Sequence, residues 1–201
     1  MSKPRAAILI SGRGSNMEAL IKAAKTPDYP AEIVLVLSNK PDAAGLEIAR
    51  SLGVKAEAVP AKPFGKDREA HERALDEKLV AAETDIVCLA GYMRLLTPYL
   101  VRRWAGRMLN IHPSLLPAYP GLDTHARVLE AGEPKHGCTV HLVTEAMDEG
   151  PIVGQAEVPV LPDDTEEALA ARVLAQEHKL YPAALAQLAE KIRLPEATPR
   201  P

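Results

Sequence analysis

With 201 residues the chain can bury one substantial core, whereas two independent domains would each fall near the lower limit of usual domain size. Its 47% apolar and 25% charged content sits at globular averages, which excludes a disordered or fibrous chain. A formal charge of -3 with both signs interspersed offers no basic stripe for nucleic-acid phosphates, and no apolar run reaches the roughly 18 residues that a membrane span needs.

A small-molecule partner is therefore expected, with no nucleic acid and no membrane. Residues 1 to 5 run straight into a strand, so a secretory leader is not expected and the cytoplasm is the predicted location. Cys88 and Cys138 stand alone, outside any CxxC spacing, and indicate neither a disulfide framework nor a metal site.

In chain order, Ala6 to Ile10 is a continuous apolar run that predicts a strand covered on both faces. Asn16 to Ala24 predicts a helix, with Met17, Leu20, Ile21 and Ala24 at helical spacing. Glu32 to Leu37 is the next strand, Ala43 to Leu52 a helix, Lys55 to Val59 a third strand, and Arg68 to Ala82 a long helix. Ile86 to Ala90 makes a fourth strand. Thr97 and Pro98 read as an N-cap and first helical residue of a short helix reaching Trp104. Met108 to His112 is a further strand, followed by a loop that Pro113, Pro117 and Pro120 keep stiff and irregular.

Cys138 to Val143 and Ile152 to Val160 predict two last strands with a polar loop between them. Thr165 then caps a final helix with Glu166 and Glu167 in its first turn, where the dipole favours them. This alternation of strands and helices predicts a single α/β domain over residues 1–194, with a mostly parallel twisted sheet flanked by helices and a C-terminal tail over 195–201. In such a sheet the binding crevice lies at the carboxyl ends of the strands.

Two segments carry chemistry. Ser11-Gly12-Arg13-Gly14-Ser15-Asn16 joins the first strand to the first helix, where free N–H groups and the dipole favour an anion. A plain helix-capping turn would use the same glycines. A dinucleotide fingerprint fits poorly, because Met17 takes the place of the third glycine and Ser38-Asn39-Lys40 lacks the acid that holds a ribose hydroxyl. No GK[ST] ending marks a P-loop, so a monophosphate is the better match.

The second segment is Asn110 to Pro117, at the end of a strand that enters the stiff loop. Residues two apart on a strand share a side, so Asn110 and His112 point together. An amide can stabilise a developing oxyanion, and an imidazole, whose ordinary pKa is about 6.5, exchanges protons near neutral pH. His141 and Asp148, in and after a later strand, could join them at the same sheet edge. Each also has a plainer reading: His112 as a hydrogen-bonded structural residue, His141 as a buried strand residue, Asp148 as a turn-former ahead of Gly150.

The run Asn110-Ile111-His112-Pro113-Ser114-Leu115-Leu116-Pro117 is similar to the hallmark of the formyl-folate transferase superfamily. Ile10 to Asn16, Ala90 to Arg94, Tyr119 to Leu122, His136 to His141, Asp148 to Pro151 and Gln176 to His178 extend the resemblance, toward the branch that formylates glycinamide ribonucleotide. It runs from about Ala6 to Leu188, and several motifs in order are more specific than any one. The resemblance implies a Rossmann-like fold. It also implies transfer of a formyl group from 10-formyltetrahydrofolate, as co-substrate, to the amine of the ribonucleotide in purine synthesis, with no metal.

Residue by residue, Gly14, Ser15 and Asn16 match the loop around the substrate phosphate, and Glu177 a carboxylate near the ribonucleotide. Arg68, Met93, Arg94, Leu95 and Leu96 match folate-holding positions, as do Thr144, Glu145, Ala146, Met147 and Asp148. Asn110, His112 and Asp148 match the catalytic trio, with His141 in support. Asp123 stands where some relatives carry His, and Leu174 and Ala175 offer the ribonucleotide no polar side chain. Methionyl-tRNA formyltransferase adds a tRNA-binding barrel and formyltetrahydrofolate deformylase an N-terminal regulatory domain; neither addition is expected here. A silent nucleotide-binding module would have little reason to keep Asn110, His112 and Asp148 together. A monomer and a homodimer are both compatible with the sequence.

Overall fold

Short apolar runs become strands where prolines and glycines bound them, and the amphipathic stretches between become the covering helices. The computed structural model describes residues 2–193, and the tail expected over 195–201 lies outside them. The strands are β1 (Arg5–Ile10), β2 (Glu32–Ser38), β3 (Ala56–Ala58), β4 (Ile86–Leu89), β5 (Met108–His112), β6 (Lys135–Leu142) and β7 (Ile152–Pro159). The helices are α1 (Ser15–Ala24), α2 (Ala44–Ser51), α3 (Arg68–Ala81), α4 (Pro98–Arg103), α5 (Thr124–Glu130) and α6 (Glu166–Arg193).

Most expected elements form, with three differences. The sequence reading leaves out α5, whose seven residues follow a loop dense in proline and start from Asp123 in the left-handed region, at φ 55°. β6 begins at Lys135 rather than Cys138. His136 and Gly137 pair with Val158 and Glu157 of β7, and Gly137 fits there because a Cβ would collide with the Ala156 carbonyl. Thr97 does precede α4, but its side chain does not cap the helix; its hydroxyl donates to Glu72 of α3 at 2.5 Å instead.

The sheet order is β3-β2-β1-β4-β5-β6-β7. β1 to β5 are parallel, whereas β6 and β7 run antiparallel beyond β5. From β1 the chain winds outward through β2 and β3, then crosses back to β4 on the other side of β1. The order therefore reverses between β1 and β4, which opens a crevice at their carboxyl ends.

Alternating residues fill two layers. Ile8, Ile10, Cys88, Leu109, Ile111 and Val140 pack with α1, α2 and α6, while Ala7, Leu9, Val87, Leu89 and Met108 pack with α3 and α4. Tyr181 of α6 is fully buried, and its hydroxyl donates to the Leu89 and Leu109 carbonyls at 2.8 and 3.2 Å. It ties β4 to β5 just below the crevice. Leaving buried acceptors without that donor makes Tyr181→Phe about 1–2 kcal/mol less stable in urea unfolding; an unchanged midpoint would contradict this anchoring.

Buried imidazoles give the fold a pH dependence. His136 on β6 is 1% exposed and its Nε2 lies 3.0 Å from His125 Nδ1, so burial first, then His125 and His112, push its pKa down to about 4. Burial also lowers His71, His125, His141 and His178. As pH falls below the ordinary value of 6.5, the unfolded chain binds protons that these folded rings refuse, so stability is lost progressively toward pH 4. The melting temperature is expected to be lower at pH 5 than at pH 7.5; equal values would contradict the burial of these rings.

Candidate active site

The crevice has a phosphate-sized cradle at one end. After β1 the chain turns through Ser11 to Gly14, and Gly14, at φ 71°, is the N-cap of α1 with no side chain closing the first turn. The first N–H groups of the helix are thus left for an anion, at the positive end of its dipole. Gly14 serves the backbone more than the pocket, because a Cβ there would press Met17 at 3.2 Å in a conformation that side chains disfavour. Gly45, at the start of α2, is a residue that the sequence reading misses. Its N–H donates to Gly12 O at 3.1 Å, and a Cβ would lie 2.8 Å from both the Gly12 and Arg13 carbonyls. Only a glycine lets α2 back the loop so closely.

Asn16 and Glu177 meet beside this cradle. Asn16 Nδ2 donates to Glu177 Oε2 at 2.8 Å, joining α1 to α6, while Asn16 Oδ1 is buried without a partner. Burial raises the Glu177 pKa, against the pull of the Asn16 hydrogen bond. Ser15 is half-buried in the first turn of α1.

The loop after β4 is tethered at three points. Met93 N donates to Ser11 Oγ at 2.8 Å, and Ser11 in turn donates to Asn39 Oδ1 at 2.5 Å. Arg68 reaches the Leu95 carbonyl at 3.4 Å. Glu72, 2% exposed, accepts from Thr97 N at 2.7 Å. Between the tethers Met93 and Leu95 are more than 60% exposed, with Arg94 and Leu96 half-buried. Across the crevice, Thr144 to Met147 are exposed and Arg102 of α4 pairs with Glu145 at 2.6 Å.

The four polar residues predicted from separate stretches come together. Asn110 and His112 of β5 share the parity of Met108, so they project on the side that α3 and α4 cover, beyond the reach of α4. Antiparallel pairing sets His141 directly opposite Asn110. The 143–151 loop then folds back, and Asp148, at φ 57°, puts Oδ2 3.6 Å from His112 Nδ1 and Oδ1 3.9 Å from His141 Nε2. The group meets on the face of the β5–β6 pair. A direct contact of Gly150 with Leu142 O, which any Cβ would block, lets the loop return so tightly.

Hydrogen bonds fix the rings. His141 Nδ1 lies 3.0 Å from Leu142 O, so Nδ1 carries the proton and Nε2 accepts from Asn110 Nδ2 at 3.3 Å. Burial lowers the His141 pKa and favours this neutral form. His112 Nε2 lies 3.0 Å from Tyr119 O, and its other nitrogen faces Asp148. The Tyr119 carbonyl thus takes the Nε2–H, while Nδ1 stands 3.6 Å from Asp148 Oδ2, beyond hydrogen-bond length. Gly121 N donates to Asp148 Oδ2 at 2.9 Å. The Tyr119 to Gly121 turn therefore holds both members of the pair, a role that nothing in the spacing of those residues signals.

Among the described residues no group of three or more His, Cys, Asp or Glu could hold a metal ion, and no helix is long and apolar enough to cross a membrane. An amide, two imidazoles and a carboxylate beside an anion cradle suit acyl transfer.

Comparison with known proteins agrees with this chemistry. A formyl transferase family model matches residues 4–185. Phosphoribosylglycinamide formyltransferase of Escherichia coli is 48% identical over 91% of this chain and 86% of its own length. Trifunctional purine biosynthetic protein adenosine-3 of Drosophila melanogaster is also 48% identical over 92% of the chain, which spans only 14% of that longer protein. The crystal structure of phosphoribosylglycinamide formyltransferase from Brucella melitensis superposes with a TM-score of 0.90 at 53% identity, covering 99% of this chain and all of that one. The chain belongs to the formyl transferase family.

Proposed function

We propose that this protein transfers the formyl group of 10-formyltetrahydrofolate to the amine of glycinamide ribonucleotide, the acceptor that the names of its relatives specify. The observation that carries the reading is Asp148 set between His112 and His141 beside Asn110, in a fold that also leaves the N-terminus of α1 uncapped.

Gly14, Ser15 and Asn16 take the phosphate on backbone N–H groups, and the unpartnered Asn16 Oδ1 and Glu177 face the ribonucleotide. Arg68, Met93 to Leu96 and Thr144 to Asp148 hold the folate. The neutral amine attacks the formyl carbon, forming a C–N bond and a tetrahedral oxyanion. Asn110, oriented by His141, donates to that oxygen, with His112 Nδ1, 3.6 Å from Asp148 and so beyond hydrogen-bond length of it, as the second donor. Asp148, facing the His112 ring, passes the proton of the attacking nitrogen, through a water, to the folate N10 as its bond to carbon breaks.

Purified protein incubated with 10-formyltetrahydrofolate is expected to release tetrahydrofolate, followed spectroscopically, only when glycinamide ribonucleotide is present. Equal release without the ribonucleotide would instead indicate transfer to water and overturn the reading. Asp148→Asn is expected to keep its fold by circular dichroism and lose about a hundred- to ten-thousandfold in turnover. Parent-level turnover would remove Asp148 from the proton path.

A further inference from the structure

The turn that holds His112 and Asp148 does not hold itself. Tyr119 sits at φ 53°, a left-handed conformation that a bulky residue leaves unless its neighbours retain it. Its carbonyl nevertheless meets His112 Nε2 at 3.0 Å, and two residues on Gly121 N donates to Asp148 Oδ2. A small rotation of the Tyr119 backbone would swing the carbonyl off the imidazole and disturb both contacts.

The retaining groups come from α5 and the residues after it. Arg127 Nη1 donates to the Pro120 carbonyl at 2.7 Å and the Leu122 carbonyl at 3.1 Å, one on each side of Gly121. Its guanidinium carbon also lies 5.3 Å from the centre of the Tyr119 ring, within cation–π range. Glu133 accepts from the Tyr119 hydroxyl at 2.8 Å, fixing the far end of the same ring. A planar donor that bridges two carbonyls while stacking on a ring is a use to which lysine is poorly suited.

We propose that Arg127 is a positioning residue for the catalytic pair: by clamping residues 119–122 it keeps the Tyr119 carbonyl on His112 and the Gly121 N–H on Asp148. The effect on turnover rests on the formyl-transfer reading given above, whereas the effect on the His112 ring does not. Arg127 hydrogen-bonds to neither His112 nor Asp148 and acts through the turn.

The test combines kinetics with 15N spectroscopy of the imidazoles in the free protein. In the parent, the Nε2–H of His112 gives a signal protected from solvent exchange by the Tyr119 carbonyl. In Arg127→Ala that signal is expected to broaden or vanish. Turnover should fall about ten- to a hundredfold, the range a displaced catalytic group gives, while the Michaelis constants for both substrates stay within about twofold. Arg127→Lys should recover part of the loss. If Arg127→Ala fails to fold, Tyr119→Phe removes only the Glu133 contact and is expected to speed exchange of the same proton. A protected Nε2–H in the folded variant, or parent turnover, overturns the proposal. So does a fall in turnover with the ring signal intact, which would mark Arg127 as merely structural. Because the ring signal is read without substrate, a parent that fails to formylate the ribonucleotide would sink the function and leave this assignment testable.

Discussion

The antiparallel pairing of β6 on β5 is the constraint on which the site depends. Had β6 continued the parallel pattern, its connection would have needed a crossover helix, and His141 would not have faced Asn110 with a return loop close behind. Reversal of direction brings the two side chains into register and sends the next loop back over the same face. Asp148 then reaches His112 with no large movement of chain. The parallel half of the sheet supplies the complementary part, a reversal of strand order that leaves the β1 and β4 loops facing each other across a crevice.

Within that frame the polar groups order one another. Leu142 O sets the His141 tautomer, His141 sets the Asn110 amide, and Tyr119 O holds His112 Nε2 while Asp148 faces its Nδ1. Each is buried or nearly so, which strengthens these bonds and makes an unpaired member costly. The same burial lowers several imidazoles and raises Glu177, so the environment that organises the site also makes the fold sensitive to acid.

Much of this was legible in the residues. Continuous apolar runs such as Ala6 to Ile10 announced parallel strands, because both faces of such strands are covered, and the motif order pointed to the family. The period-two rule placed Asn110 and His112 together. What escaped detection depends on contacts between distant backbones. Gly45 and Gly137 are required only because another segment passes within van der Waals distance, and a single sequence carries no mark of that approach. α5 was hidden for a different reason: seven residues with two buried positions give too short a period to separate from the stiff loop before them. Thr97 stands at the N-cap of α4 with Pro98 after it, as the sequence predicts, but Glu72, 25 positions away, takes its hydroxyl.

The central claim is that His112 and Asp148 act as one unit on the transferred formyl group. A double-mutant cycle on turnover with His112→Gln, Asp148→Asn and the combined variant tests it most directly. Members of one unit give strongly non-additive losses, so the combined variant is expected to be barely slower than the worse single one. If the two losses instead multiply, the residues act independently and the claim is contradicted.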